Sequence, residues 1–316
     1  MREKKNFAQR SKVLASAEAR KKYFLVYEGE ETEQIYFDAV NEQKDSLGIN
    51  PLIELVPVMR SYSEVGWSNP KKILDRVLLN LEEDEKKTIS YETLLNWIMD
   101  YLFDLKVLTT RGVMAKNVWT VLRTACQETI QVRLQDDVSD MEKTCKELLG
   151  ILAEETEITH VVDDVSKIIK EQAITYAEGL DKICFIIDRD RESFVSHHGN
   201  DQYSYVLNKC KDNGFGFYLT NPCFEFWLLL HFDEVMNLDT EQLLENPKVT
   251  SKRRYTEQQL RTLMPGFTKS KYDVDALMQR IDKAISNEKQ FCEDDQELEY
   301  TVGSKVGLLL EELRKQ

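Results

Sequence analysis

Four acidic residues sit where apolar runs end or are interrupted. Glu28 closes Tyr23-Phe-Leu-Val-Tyr-Glu28, Asp188 and Asp190 follow Lys182-Ile-Cys-Phe-Ile-Ile187, and Glu225 stands among Phe224, Phe226, Trp227 and Leu228. Carboxylates are hard oxygen donors, and Mg²⁺ takes one or two of them while keeping waters and substrate phosphate as its other ligands. Their convergence predicts a Mg²⁺ (or Mn²⁺) site and phosphoryl-transfer chemistry, in which the ion neutralises phosphate charge and activates water. A carboxylate inside an apolar helix must be paired, capping or metal-linked, so Glu225 is expected to face the site. Each signal has a plainer reading. An acidic pair in a loop is commonly just solvated, and D-x-D after a strand also occurs in nucleotide-sugar transferases, which leave Glu28 without a role. Gly29 fits any strand-to-helix turn.

These residues need a scaffold, and the apolar pattern supplies one. Residues 23–28 read as a strand, Thr32 opens a helix carrying Ile35, Tyr36, Phe37 and Val40, and residues 53–58 read as a second strand. Asn69-Pro70 starts a helix running through Leu81. The strand pattern returns at 182–187 and 214–219, with a helix near 203–212 between them and a short apolar helix at 223–232 after them. Continuous apolar strands alternating with helices predict an α/β fold with an open, mostly parallel sheet flanked by helices. In such sheets ligands gather beyond the carboxyl ends of the strands, where Glu28, Asp188 and Asp190 fall.

Between Pro70 and Pro222 there is no proline, and residues 86–178 contain only Gly112 and Gly150 while Leu94, Leu95, Ile98, Leu102 and Leu105 recur on one helical face. The reading is a large α-helical insertion. The expected organisation is a basic N-terminal segment, 1–22; a discontinuous α/β domain, 23–85 and 179–235; the insertion, 86–178; and a helical C-terminal region, 236–316. Trp97, Tyr101 and Trp119 add aromatic bulk to the insertion and point to a protein contact, with a second copy or another protein.

The chain of 316 residues has a net charge of −14, which argues against a surface that grips nucleic acid everywhere. Charge is uneven, however. Residues 1–22 hold eight Lys/Arg against two acids, and residues 248–271 hold seven against Glu257 alone. The second segment, with Arg253, Arg254, Lys269 and Lys271, is the candidate phosphate-binding surface, and Tyr255 and Phe267 are available to stack on unpaired bases. The six cysteines form no C-x-x-C pair and the four histidines no H-E-x-x-H, so zinc has little support and the thiols read as reduced. No window approaches a membrane span and the first residues lack a secretory signal, so the expectation is a cytoplasmic protein without membrane contact.

In order along the chain stand Glu28-Gly29-Glu30-Glu31-Thr32-Glu33, Asp188-Arg189-Asp190, Thr220-Asn221-Pro222-Cys223-Phe224-Glu225-Phe226-Trp227 and His231-Phe232. This combination resembles the RloB/AbiLii family, Toprim-type predicted nucleases of prokaryotic anti-phage and abortive-infection operons. The resemblance covers residues 23–58, about 180–235 and, more thinly, the C-terminal part, where Phe267-x-Lys269 is similar to the family's aromatic-x-lysine element. The separation of Glu28 and Asp188 exceeds that of a minimal Toprim domain, which the insertion accounts for, and the terminal segment lacks the family's N-P-x-T.

The resemblance implies a Toprim-like sheet on which Glu28, Asp188 and Asp190 hold the metal and, with Glu225, carry catalysis. Gly29 and Glu33 support them, Tyr36 matches the T-E-x-x-Y that follows the first acid, and Lys269 contacts phosphate. It also implies a metal-dependent phosphodiesterase that serves as a phage-defence effector beside a partner ATPase, with RNA, and tRNA by analogy, ahead of DNA as substrate. The rival it leaves open is a non-catalytic regulatory subunit that uses the same scaffold to bind the ATPase. For the supporting residues the structural reading stays simple: Phe224 and Trp227 as core anchors and His231 as a hydrogen-bonded core histidine.

Overall fold

The structure, a computed structural model, describes residues 21–29, 31–58, 69–86, 88–104, 106–109, 112–156, 179–189, 202–251 and 253–315. Asp190, Lys252, residues 1–20 of the basic N-terminal segment and residues 157–178 of the expected insertion lie outside them.

The chain opens with β1 (Lys22–Tyr27), α1 (Thr32–Glu42) and β2 (Glu54–Val58). α2 (Pro70–Lys86) begins with proline, whose missing N–H costs nothing in a first helical turn, and Asn69 Oδ1 accepts from the N–H groups of Lys71 and Lys72 at 3.0 and 3.3 Å. Next come α3 (Tyr91–Asp104) and α4 (Val113–Thr124), which continues into a π-helical turn, Ala125–Ile130, and ends on Gln131 in the left-handed region. α5 (Met141–Glu155) starts on Asp140, whose carboxylate caps the N–H of Lys143.

The chain divides into two compact units, with the boundary in α2 between Leu74 and Asp75. One contains the described residues from Asp75 to Thr156. Its core joins Leu94, Leu95, Ile98 and Leu102 of α3 to Val118 and Leu122 of α4 and Leu148, Leu149 and Leu152 of α5. Trp97 and Tyr101 are buried in that same core and Trp119 packs against it. The aromatic bulk expected to seek a protein partner is therefore used inside the unit. Burying a large ring against its own helices already removes it from water, and leaves it unavailable to an interface.

The second unit is built on β3 (Lys182–Asp188), α6 (Gln202–Asp212), β4 (Gly216–Asn221) and α7 (Phe224–Leu229), together with β1, α1 and β2. α8 (Thr240–Glu245) leads into a small hairpin, β5 (Lys248–Thr250) and β6 (Arg253–Arg254), and then α9 (Tyr255–Leu263). α10 (Val274–Met278), α11 (Ile281–Glu288), β7 (Gly303–Ser304) and α12 (Val306–Lys315) complete it. Five strands form one sheet in the order β2-β1-β3-β4-β7. The first four are parallel, with Tyr27 opposite Ile186 and Asp188 opposite Thr220, and β7 runs antiparallel to β4. The protein is thus α/β with a mostly parallel sheet, as the apolar pattern predicts.

One expectation needs correction. The region 236–316 is not purely helical: it contributes the β5–β6 hairpin and the fifth strand of the main sheet. Two residues are too few for any periodicity, and Gly303 suits the place, since a Cβ there would lie 2.0 Å from the carbonyl oxygen of Cys292. The chain leaves β1 toward β2 on one side and finds β3 on the other. This reversal of strand order falls between β1 and β3, and it is at the carboxyl ends of strands at such a reversal that open α/β sheets take ligands.

Candidate active site

Glu28 and Asp188 meet at that reversal. Glu28 follows β1 and is held to β3 twice: its N–H donates to the carbonyl of Ile186 at 3.3 Å, and its Oε2 accepts from the N–H of Asp188 at 3.1 Å. Asp188 is the last residue of β3. Its carboxyl is pushed well above the usual carboxylate range, first by burial and then by the negative charges of Glu33, Glu28 and Glu225, with Lys269 opposing.

Glu33 lies in the first turn of α1 and is 5% exposed. Burial raises it to about 7, Glu225 adds to the rise, and its own N–H, Lys269 and the N–H of Gly29 work against it. A Cβ on Gly29 would crowd the Glu33 carboxylate, which folds back against the β1–α1 turn at this glycine.

Glu225 sits in the first turn of α7, 2% exposed, among buried Phe224, Phe226 and Trp227. Its Oε1 is paired with Lys269 Nζ at 2.7 Å, and the same ammonium lies 3.5 Å from Glu257 Oε1 on α9. Burial opposes the charge on Lys269, but Glu225, Cys223 and Glu257 outweigh it and push the group up, so it stays an ammonium. The turn carrying Lys269 is closed by reciprocal backbone hydrogen bonds between Thr268 and Lys271. It is tied to α1, since Thr32 Oγ1 donates to the Lys269 carbonyl at 3.2 Å and the Tyr272 hydroxyl donates to the Thr32 carbonyl at 2.7 Å.

The other expected residues fall into place less directly. Arg253 and Arg254 form β6, and Arg254 Nη1 donates to the carbonyl of Asn246. Asn246 Oδ1 accepts from the N–H and hydroxyl of Thr256, while its Nδ2 lies 3.4 Å from Cys223 Sγ. The basic hairpin is thereby anchored two residues before Glu225. Lys271 is exposed beside Lys269 in sequence. Asp190 is outside the described residues. Phe267 is 2% exposed and packs on Tyr272, so it is a core anchor rather than a platform for a base, and Tyr255 packs partly buried against the same core.

His231, 1% exposed, is a core residue: its Nδ1 faces the Trp227 carbonyl at 3.1 Å and its Nε2 the Tyr36 hydroxyl at 3.1 Å. With Nδ1–H donating to the carbonyl, Nε2 accepts from Tyr36. Burial lowers the imidazole to about 3 and keeps it neutral. Sequence reasoning missed Glu257, Thr32 and Tyr272 as parts of the site, because each joins it through a contact between distant segments.

Among the described residues no three His, Cys, Asp or Glu side chains form a ready-made metal cage. The donor chemistry nonetheless fits a hard divalent cation, since buried carboxylates that repel one another gain from a cation, and Mg²⁺ needs only one or two beside water and phosphate.

Fold and site together define an α/β protein with a mostly parallel sheet whose carboxyl edge gathers buried carboxylates around one lysine. A family model described as RloB-like protein matches residues 119–313, from within α4 to within α12, and the chain belongs to that family. The match includes Asp188, Glu225 and Lys269 and does not reach β1 with Glu28. No curated protein and no solved structure gives a significant match. Among the described residues no helix is long and apolar enough to cross a membrane.

Proposed function

We propose that this chain is a Mg²⁺-dependent nuclease with a Toprim-like catalytic sheet, an effector of an anti-phage abortive-infection system that cleaves RNA, with tRNA the favoured substrate. The observation that carries the reading is the pairing of Glu28 with the end of β3, where its carboxylate accepts from the N–H of Asp188 at the strand-order reversal. Glu28 and Asp188, with Asp190, would hold the ion. When bound, it supplies neutralisation of the scissile phosphate and a water of lowered pKa.

The rest of the chemistry belongs to the side chains. Glu33, raised to about 7, exchanges a proton at its carboxylate near neutral pH, as an acid/base group must. Lys269, 54% exposed, offers its ammonium to a phosphate oxygen, and Glu225 fixes where that ammonium stands. Arg253, Arg254 and Lys271 extend the positive surface along a nucleic-acid backbone. A partner ATPase and a second copy of the chain are the proposed protein contacts, and the cytoplasm the proposed compartment.

The test is cleavage of RNA and DNA by purified protein with Mg²⁺ or Mn²⁺, using Glu28→Gln and Asp188→Asn, together with sequencing of RNA and DNA ends after induction in cells. Both variants should fold and lose metal-dependent cleavage. Retained cleavage in either removes the site, and unchanged defence in a Glu28→Gln strain favours the non-catalytic subunit. DNA nicks without RNA breaks overturn the RNA preference.

A further inference from the structure

We infer that the ammonium of Lys269, seated on Glu225, takes the place of a second metal ion, so that the site works with one divalent cation on Glu28 and Asp188 and one lysine. The inference rests on the metal-dependent reading above and specifies how that site is charged. Two-metal phosphodiesterases place two ions about 3.5–4 Å apart, clamping the attacking and leaving oxygens, and both ions draw on carboxylates. Of the carboxylates gathered here, Glu225 is nearly sealed from solvent and already carries a cation at 2.7 Å, with Glu257 as a second counter-charge at 3.5 Å. A divalent ion on Glu225 would have to expel that ammonium or sit beside it against strong repulsion.

The lysine is built in rather than draped over the acids. Its turn is closed between Thr268 and Lys271, its carbonyl is held by Thr32 of α1, and Tyr272 secures Thr32 from the same segment. α1 also carries Glu33, so the element that positions the buried acid positions the cation as well. With 54% of its side-chain surface exposed, Lys269 can meet a phosphate oxygen while remaining paired. A fixed ammonium supplies the charge stabilisation that a second ion would give to a leaving oxygen, without needing ligands of its own.

Counting bound Mn²⁺ on the full chain without nucleic acid, by electron paramagnetic resonance of the free ion and by calorimetry, tests this. The wild type should bind one Mn²⁺ and Lys269→Arg, which keeps the cation, should also bind one. Lys269→Met should bind two, and Lys269→Met with Glu225→Gln should return to one. Two ions on the wild type overturn this inference and leave the metal-dependent reading standing. A folded Lys269→Met that still binds a single ion also overturns it, and no ion on the wild type overturns both. If Lys269→Met fails to fold, two ions on the wild type still overturn the inference, and Lys269→Gln replaces it in the comparison.

Discussion

The two ends of one sheet treat their carboxylates in opposite ways. At the amino ends of β1 and β3, Glu312 of α12 accepts from Lys182 Nζ at 2.7 Å, from the Tyr218 hydroxyl at 2.8 Å and from the Tyr23 hydroxyl at 3.0 Å. Burial works against its charge, but these donors win and hold the carboxyl below its ordinary value. At the carboxyl ends, Asp188 and Glu33 are raised because burial and neighbouring acids outweigh Lys269. A carboxylate that fastens a helix to a sheet is given its donors, whereas the carboxylates at the opposite end are left short of positive charge.

Substitutions that neutralise each acid should separate the two ends. The largest effect is expected at the carboxyl edge: Glu28→Gln and Asp188→Asn should each lower metal-dependent cleavage by about 10³-fold, roughly 4 kcal/mol of transition-state stabilisation. Metal-free Asp188→Asn should at the same time melt higher than the wild type at pH 8, because the fold holds the Asp188 carboxyl above its ordinary value and disfavours its ionisation, a cost an amide does not carry. A lower melting temperature by calorimetry would make this edge structural, like its opposite.

Glu312→Ala comes next. It leaves Lys182 and two tyrosine hydroxyls without their shared acceptor, and urea denaturation should show a loss of about 2–3 kcal/mol. Cleavage per folded molecule should stay within about twofold. A cleavage loss as large as that of Glu28→Gln would erase the distinction between the ends.

The pH dependence of stability should carry opposite signs. For Glu33, folded and unfolded chains are both protonated below about pH 4.5. As pH rises toward about 7 the unfolded chain ionises first and stability falls. Glu33→Gln should therefore stabilise the metal-free protein at pH 8 by an amount on the order of 2 kcal/mol and do little at pH 4. For Glu312 the folded value is lowered, so its contribution is present above the unfolded value and lost as pH falls through the folded one. Parallel melting curves of Glu33→Gln and Glu312→Gln from pH 4 to 8 measure both, and shifts of the same sign would break the contrast.

The smallest effect belongs to the ion pair of Lys22 and Glu54, 3.6 Å apart with Glu54 43% exposed. Glu54→Gln should change stability by no more than about 0.5 kcal/mol, since solvent screens such a pair. A larger loss in the same urea assay would mean that exposure is a poor guide to which acids matter at this edge.

How much of this was legible beforehand depended on the range of the interaction. β1, β3 and β4 were readable because parallel strands are covered on both faces and appear as unbroken apolar runs, and an acid that ends such a run lands at the sheet's carboxyl edge. The ordered blocks around Asp188 and Glu225 carried the family resemblance, and the family match contains both. Trp97, Tyr101 and Phe267 were misread as surface aromatics because residue type does not say which side of a ring meets water, and their neighbours closed over them.

The sequence by itself therefore determined the four parallel strands, the acids at the ends of β1 and β3 and the family the chain belongs to, all properties of residues close together along the chain. Only the tertiary structure decided that the C-terminal region supplies the fifth strand, that Lys269 neutralises Glu225 and that Thr32 and Tyr272 fasten its turn. Those pairings join distant segments, and two such groups meet only because burial of the shared core brings their elements together.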